Sequence, residues 1–546
     1  ADAAGNDATP ASVNALQDTV APTVTVSMGS YADDTGSSGS DFITTDIDGA
    51  ALTATLSTAL AAGETLQLSI DGGSTYNDIS SNDITNDVDV STSVTLNGDG
   101  SEGTDTLIFR VVDTAGNAGT TESQEYTVDL SDPTFGVSGD TTISSSNSNT
   151  ALSIDGDTVT VTVVASETID TPTCAISVDG NPATNDESIQ NTADNTWTCS
   201  VVLDDADSDG SITFSITPTD TAGNAGNADT TVDDASSVTH DDTSPTLTPV
   251  SIVTDNTDTT GGMNGNTITL SFTAGETIST PTCTFSDADS NALAGSVTVI
   301  DGGNDAWTCD VDIADDDADG VVTFSIAFSD EAGNAGTAVT AVTDATSVTI
   351  DNTHPSISSQ ISTSWGTYLN AAEDDADGTV TVSTSGAEDG QTVTTTINGV
   401  QDTCTLNANT CAVTVAAADL AALTDGTSYT ISVDVSDAIG NAADQDTSAS
   451  FEYDVSVSAA TETTAVSTPG NDGSPDVTIN VAEAGTIAMS GSCGTSSSTT
   501  VSSGDNTITL TDADDTSDLG DATYSDCTVT FTDDAGNDAA ALPLTD

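Results

Sequence analysis

The chain has no lysine, one arginine (Arg110) and two histidines in 546 residues, against 88 aspartates and glutamates. Its formal charge is −87. Without lysine there is no Schiff-base chemistry and no isopeptide or sortase-type link through a lysine side chain. Nucleic acid and anionic membranes are excluded as partners over most of the surface, because both need Lys/Arg to displace counterions. Aromatic residues are 4%, which counts against a carbohydrate-binding module, whose ring platforms need exposed aromatics, without excluding one. No apolar run reaches the ~18 residues of a membrane span. The best stretch, 411–423, is broken by Asp419, so no membrane insertion is expected. No G-x-S-x-G nucleophile motif occurs, and at this Asp density carboxylate pairs identify no catalytic dyad. An enzyme is not expected.

Only 35% of residues are apolar, and low hydrophobicity with high net charge is a signature of disorder. Alternating apolar stretches and paired cysteines argue for folding. The composition fits many small domains, each with a thin core and external staples. With this charge to contain, the staples expected are divalent cations as well as disulfides.

Two marks recur along the chain. D-x-x-G-N occurs at Asp2–Asn6, Asp113–Asn117, Asp220–Asn224, Asp330–Asn334, Asp437–Asn441 and Asp533–Asn537. D-x-x-x-P occurs at Asp18–Pro22, Asp129–Pro133, Asp241–Pro245 and Asp351–Pro355, with a fifth copy at Asp454 where Ser458 replaces proline. Both marks share one period of about 110 residues, which means tandem units. The boundaries expected are 1–18 for an N-terminal strand and linker, then units at 19–130, 131–242, 243–352, 353–455 and 456–546. Each unit reads as all-β. In the first, 22–28, 51–57, 65–70, 92–96, 106–112 and 124–129 alternate or run apolar between Gly/Asp/Asn/Ser clusters. Six or seven short strands per unit is the signature of an Ig-like sandwich.

The order of these marks, with Asp-Gly before the penultimate strand, resembles the tandem bacterial Ig-like repeats of large surface adhesins and surface filaments. The resemblance covers nearly the whole chain. It implies an all-β, extended, rod-like array of five Ig-like sandwiches, with calcium at the junctions. The giant adhesins of type I secretion usually lack cysteine, and this chain has eight.

The cysteines fall two per unit in units two to five, so four intradomain disulfides are expected: Cys174–Cys199, Cys283–Cys309, Cys404–Cys411 and Cys493–Cys527. They imply folding in an oxidising compartment and an extracellular or cell-surface location. Trp197 and Trp307, two residues before a cysteine, read as core packing.

Calcium favours several oxygen ligands on a tightly turning loop. Asp205/Asp207/Asp209 and Asp315/Asp317/Asp319 have D-x-D-x-D-G spacing, and Glu373/Asp375/Asp377 is a near copy. All nine are candidate Ca2+ ligands, the first two strings the more so because they lie at equivalent places before the strand leading to D-x-x-G-N; the alternative is a solvated acidic turn. The motif residues Asp113, Asn117, Asp220, Asn224, Asp330, Asn334, Asp437, Asn441, Asp533 and Asn537 form a second set, and the linker residues Asp18, Asp129, Asp241, Asp351 and Asp454 a third. In Ig topology the loop before the penultimate strand points at the following linker. The last hairpin of the next unit points back at it. Carboxylates therefore gather at each junction. His240 and His354 read as exposed bystanders there, and Arg110 as the partner of a carboxylate.

Residues 1–18 read as a final strand and linker with no domain before them, while unit five reads as short of a complete last strand. The function expected is a structural subunit of an extracellular filament, a pilus-like assembly of copies joined head to tail by donor-strand addition. It would be stiffened by calcium and disulfides. The alternatives are a stalk segment of a surface adhesin, reaching a host or biofilm surface through another protein, and a surface-layer protein.

Overall fold

The computed structural model describes residues 3–4, 17–47, 49–97, 101–136, 140–358, 361–467, 470–495, 497–514 and 517–545. The proposed donor strand thus lies outside the described residues except for 3–4 and 17–18. So does the first copy of D-x-x-G-N, apart from its two central alanines. The chain divides into two compact units, Ala1–Thr246 with Glu276–Ser279 and Phe328–Thr337, and Leu247–Gly275 with Thr280–Ala327 and Ala338–Asp546.

The first unit opens with strands β1 (Val26–Tyr31), β2 (Ile43–Thr44), β3 (Ala50–Leu56), β4 (Thr65–Ser69), β5 (Asn77–Asp78), β6 (Ile84–Thr85), β7 (Asp89–Val94), β8 (Gly103–Val112) and β9 (Glu122–Val128). They build two sheets, ordered β1-β3-β7-β6 and β2-β9-β8-β4-β5. The short β2 crosses to the second sheet and pairs parallel with β9, while the other pairings are antiparallel. This is the connectivity of an Ig sandwich. The strands form because apolar residues alternate with Thr, Ser and Asp. In β3, Ala50, Leu52, Ala54 and Leu56 turn inward, and Leu107, Phe109 and Val111 do the same in β8. Period-two burial of this kind leaves the polar residues on the solvent face. The first sandwich lacks cysteine and instead fully buries Phe109 and Tyr126. The Tyr126 hydroxyl accepts from the Asn97 N–H (2.9 Å) and donates to the Ile70 carbonyl (2.8 Å).

The plan repeats in β10 (Thr142–Ser145), β11 (Leu152–Ser153), β12 (Thr158–Val164), β13 (Thr173–Val178), β14 (Asn181–Pro182), β15 (Ser188–Ala193), β16 (Thr196–Val202), β17 (Gly210–Thr217) and β18 (Thr239–His240). The sheets are β10-β12-β16-β15 and β11-β18-β17-β13-β14, and β11 is again parallel to β18.

In the second unit, Leu247–Thr254, Thr267–Ala274, Ala306–Asp312 and Thr298–Gly303 form one sheet. Gly261–Gly262 pairs parallel with Thr349–Ile350 in another. Later in the chain, Tyr368–Leu369 pairs parallel with Asp446–Tyr453 in a five-stranded sheet that faces Gly378–Ser385 and its partners. The last sandwich pairs Asp476–Val481 with Gly504–Asp512, and Gly485–Ser490 with Thr528–Asp533. Its closing strand, Leu542–Pro543, is two residues long and pairs with Thr528–Asp533. Among the described residues it has no parallel neighbour of the β2 kind. The one α-helix among the described residues is Ala417–Leu420.

All four expected disulfides are present. Cys174 on β13 and Cys199 on β16 tie the two sheets of one sandwich through its core. Trp197 and Trp307 are buried on the strands that carry Cys199 and Cys309. Arg110 corrects the expected ion pair. It lies 3.4 Å from the centre of the Tyr76 ring and donates from Nε to Gln67 Oε1 (2.9 Å), and Gln67 in turn donates to Asp78. The ring face and amide solvate the guanidinium on the sheet surface, and among the described residues no carboxylate pairs with it directly.

Candidate metal junctions

D-x-x-G-N forms the same closed turn five times. The N–H of the Asp donates to the carbonyl of the Asn at 3.0–3.1 Å in all five copies. One carboxylate oxygen accepts backbone N–H groups of the turn, as Asp330 Oδ1 does from Gly333 (2.6 Å) and Asn334 (2.9 Å). The other accepts from the Asn amide, at 2.7–2.9 Å in all five. The Gly sits at positive φ, from +89° at Gly116 to +119° at Gly440, which only glycine adopts without strain. The Asn side chain has a second task. It donates to the linker Asp carbonyl: Asn117 to Asp18 (3.2 Å), Asn224 to Asp129 (3.0 Å), Asn334 to Asp241 (2.6 Å), Asn441 to Asp351 (2.8 Å) and Asn537 to Asp454 (2.8 Å). These amides act as donors that fix the turn against the linker.

The linker and turn carboxylates then meet a third residue. Asp129, Glu167 and Asp220 each place an oxygen within 4.8 Å of the others, as do Asp241, Glu276 and Asp330, and Asp454, Glu483 and Asp533. Asp220, Asp330 and Asp533 are almost wholly buried. The glutamates sit on the loop that follows the second long strand of the sandwich, after β12 in the case of Glu167. The sequence reading missed them. A signal was available: glutamate is only 13 of the 88 acidic residues, yet Glu167 and Glu276 recur in matching Glu-Thr-Ile text.

A fourth acid comes from the sandwich before the linker. Leu130 N–H and the Ser131 hydroxyl donate to Glu102 Oε1 at 3.1 and 2.7 Å. Asp242 N–H (2.6 Å) and the Thr243 hydroxyl donate to Asp209. Asn352 N–H and the Thr353 hydroxyl donate to Asp319, and Val455 N–H and the Ser456 hydroxyl to Asp425. Glu102 and Asp425 were also missed, because neither lies in a D-x-D-x-D-G string.

Those strings do not converge as three-carboxylate loops among the described residues. Asp207 is buried and accepts from the Thr184 N–H and hydroxyl and from the Asp204 N–H. Asp317 likewise accepts from Ala294 and Ala314. Each middle Asp is spent on holding its own loop, and only the last Asp reaches the linker. Asp205 is exposed, and so is Asp315. In the third string, Glu373 accepts from the Asn370 N–H (3.2 Å) and Asp377 from the Ala417 N–H (3.0 Å), while Asp375 is exposed. Among the described residues none of these nine carboxylates belongs to a convergent triad.

The Asp351 junction differs. Glu388 Oε2 there accepts the Ala438 N–H (2.8 Å), and Asp351, Glu388 and Asp437 do not converge as the other triads do. The exposed His354 ring shares a 2.7 Å hydrogen bond with the Ala442 carbonyl. His240 corrects the expectation of an exposed bystander. It is 0% exposed, with Nδ1 3.4 Å from Ser153 Oγ. The physical reason is its register: it precedes the linker Asp, the position held by buried Val128 and Ile350 in neighbouring repeats.

The electrostatics show what these clusters cost when nothing neutralises them. Desolvation, followed by repulsion from Asp129, Asp220 and Glu102, raises the Glu167 carboxyl above its ordinary value. Desolvation and then Asp241, Asp330 and Asp209 do the same to Glu276. Asp241 and Asp351 are raised in the same way. Asp454 is pushed up to about 6 by desolvation, then by Asp533 and Glu483. By contrast, hydrogen bonds from Thr243 and Asp242 hold Asp209 below the ordinary range. Each triad is thus a half-buried, oxygen-only donor set; at the middle one the neighbouring His240 acts last and weakest against the rise of Asp241. Such a donor set suits a hard divalent cation.

No protein-family model matches the chain, and no curated protein matches it in sequence. Structural neighbours include tandem repeat regions of bacterial adhesins. One is a Ca2+-stabilised adhesin with which an Antarctic bacterium reaches out and binds ice; it is 23% identical at a TM-score of 0.37, covering 80% of this chain and all of that one. A second is a 1.5-MDa bacterial ice-binding adhesin, 22% identical at 0.31 over 60% of this chain and 99% of that one. A third is a tetra-tandem repeat from the extending region of a large adhesion protein, 18% identical at 0.27 over 79% and 99%. Titin Ig domains I67–I69 match as well, at 10% identity and 0.29 over 60% and 100%. At these identities and TM-scores the likenesses carry no argument, and the sandwiches are read from the chain's own sheets.

Proposed function

We propose that the chain is a stalk segment of a cell-surface adhesin, whose sandwiches are locked to one another by divalent cations, calcium by preference, at the linkers. One observation carries this: in three junctions the linker Asp, the turn Asp and the loop Glu of the following sandwich converge within 4.8 Å. Bridging the linker and two loops of the next domain with one ion restricts rotation about the linker. The oxygen-only donor set, without His or Cys, favours Ca2+ or Mg2+ over softer metals. Three carboxylates from separate segments suit the larger ion, whose coordination shell is tolerant, since Mg2+ demands near-ideal octahedral geometry. Four disulfides support an extracellular or surface location, and the chain is proposed to have no catalytic role.

Calorimetric titration of the chelated chain tests this. About three Ca2+ sites and a rise in melting temperature are expected, with Mg2+ weaker. No binding, with an unchanged melting temperature, would sink the reading.

A head-to-tail filament is the second reading. It is favoured by the Leu542–Pro543 strand, which pairs on one side only among the described residues. Electron microscopy of the purified chain separates the two: filaments longer than one molecule support self-assembly, and single particles support the stalk.

A further inference from the structure

Four of the five described D-x-x-G-N turns are gripped from a second direction by the preceding sandwich: at Thr35, Asn147 and Asn256 by the loop after its first strand, and at Asn370 by the loop after Tyr368–Leu369, its short parallel strand. The contact recurs four times. The Thr35 hydroxyl donates to the Ala222 carbonyl (2.6 Å), and the side-chain amides of Asn147, Asn256 and Asn370 donate to the carbonyls of Ala332 (2.8 Å), Ile439 (2.9 Å) and Ala535 (3.0 Å). The acceptor is in every case the residue two after the turn Asp. The glycine that follows it meets that same loop at Gly223 and Gly536, and the loop after the short parallel strand at Gly333 and Gly440. A Cβ on Gly223 would lie 3.0 Å from Gly36 N, and one on Gly536 would lie 3.2 Å from Asn370 Nδ2. A Cβ on Gly440 would lie 3.3 Å from Met263 Cε, and one on Gly333 3.9 Å from Ile154 Cδ1.

We infer that Thr35, Asn147, Asn256 and Asn370 are positioning residues of the junctions: Thr35, Asn147 and Asn370 hold the turn Asp of a triad in place before a cation binds, and Asn256 makes the same clamp at Asp437, where the carboxylates do not converge. Two attachments on one turn, the motif Asn to the linker carbonyl and the preceding loop to the turn carbonyl, leave little freedom about the linker. Neither attachment involves a carboxylate ligand of the triad. The cation therefore meets a site already assembled, and its affinity carries little cost of ordering the loops. Thr35 shows that a hydroxyl serves in place of the amide. This inference rests on the cation reading for its affinity arm only.

The test compares the full chain with N147A/N256A/N370A and with N147T/N256T/N370T. Two readouts are used: small-angle scattering in chelator, and Ca2+ titration. The alanine variant is expected to scatter as a more flexible chain in chelator and to bind Ca2+ about tenfold more weakly, the range in which loss of an outer positioning partner acts. The threonine variant is expected to restore both. Asn147 and Asn370 also serve their own loops, Asn147 donating to Asp157 and Asn370 accepting from Ala372. N256A alone is therefore the control for misfolding, since the Asn256 side chain makes no such bond among the described contacts. If N256A and the triple alanine variant both scatter like the parent in chelator, the inference is overturned. If the parent binds no Ca2+ but the alanine variants are more flexible in chelator, the cation reading falls and the clamp stands.

Discussion

In an aspartate-rich chain the residue that completes a junction is a glutamate. Asp241 and Asp330 approach each other from the linker and the turn, and Glu276 closes the third side from a separate loop. The longer side chain spans the gap between loops. E276Q is expected to weaken Ca2+ binding at that junction by at least about tenfold, because affinity follows ligand charge. D205N, at an exposed position outside the triad, is expected to leave it unchanged; titration of the two variants decides. The pH response follows from Asp454. Its folded carboxyl is raised to about 6, above the ordinary carboxylate value it has when unfolded. Between those values the folded state binds the extra proton, so the chelated protein gains stability as pH falls through about 6. The gain is complete below the unfolded value and lost as pH rises again. With Ca2+ present the sign reverses, because protons then compete with the ion. Melting temperatures at pH 5 and 7.5, with and without chelator, check this, and D454N should reduce the chelated response, the raised Glu167, Glu276, Asp241 and Asp351 retaining the rest.

At the scale of elements, the strands were legible because alternation is a local property of the chain. The long strands of the first sandwich begin and end within a few residues of the apolar stretches. The two-residue strands β2, β5 and β6 were not legible, since they exist only through pairing with distant partners. The acidic loops misled for a related reason. D-x-D-x-D-G spacing says which residues are near one another, but not that Asp207 turns inward to Thr184 or that Asp209 turns to the linker. Only the packed sandwich decides that. The cysteines were legible because each pair lies within one period. Their contributions should differ. The bridges close 25, 26, 7 and 34 residues of chain. On the loop-entropy relation, removing Cys493–Cys527 should cost about 1.4 kcal/mol more than removing Cys404–Cys411. Denaturant unfolding of the two Cys→Ser pairs measures the difference, and an inverted order would point to packing of the bridges as the larger effect.

For the whole molecule, the question is whether cations act at built sites or as a diffuse atmosphere around a charge of −87. The two make opposite predictions about sodium chloride. Exposed carboxylates repel through water, and that repulsion fades once the screening length drops to about 3 Å at 1 M salt. The triads are different, because Asp220, Asp330 and Asp533 are almost fully buried and a diffuse ion atmosphere screens such charges much less. In chelator, added NaCl should therefore raise the melting temperature part of the way and then level off. Millimolar Ca2+ at low ionic strength should exceed that plateau, and a further NaCl titration in saturating Ca2+ should be nearly flat. If 1 M NaCl reproduced the whole effect of calcium, the ions would be acting by screening alone. The convergence of linker, turn and loop carboxylates would then be a structural motif without a metal.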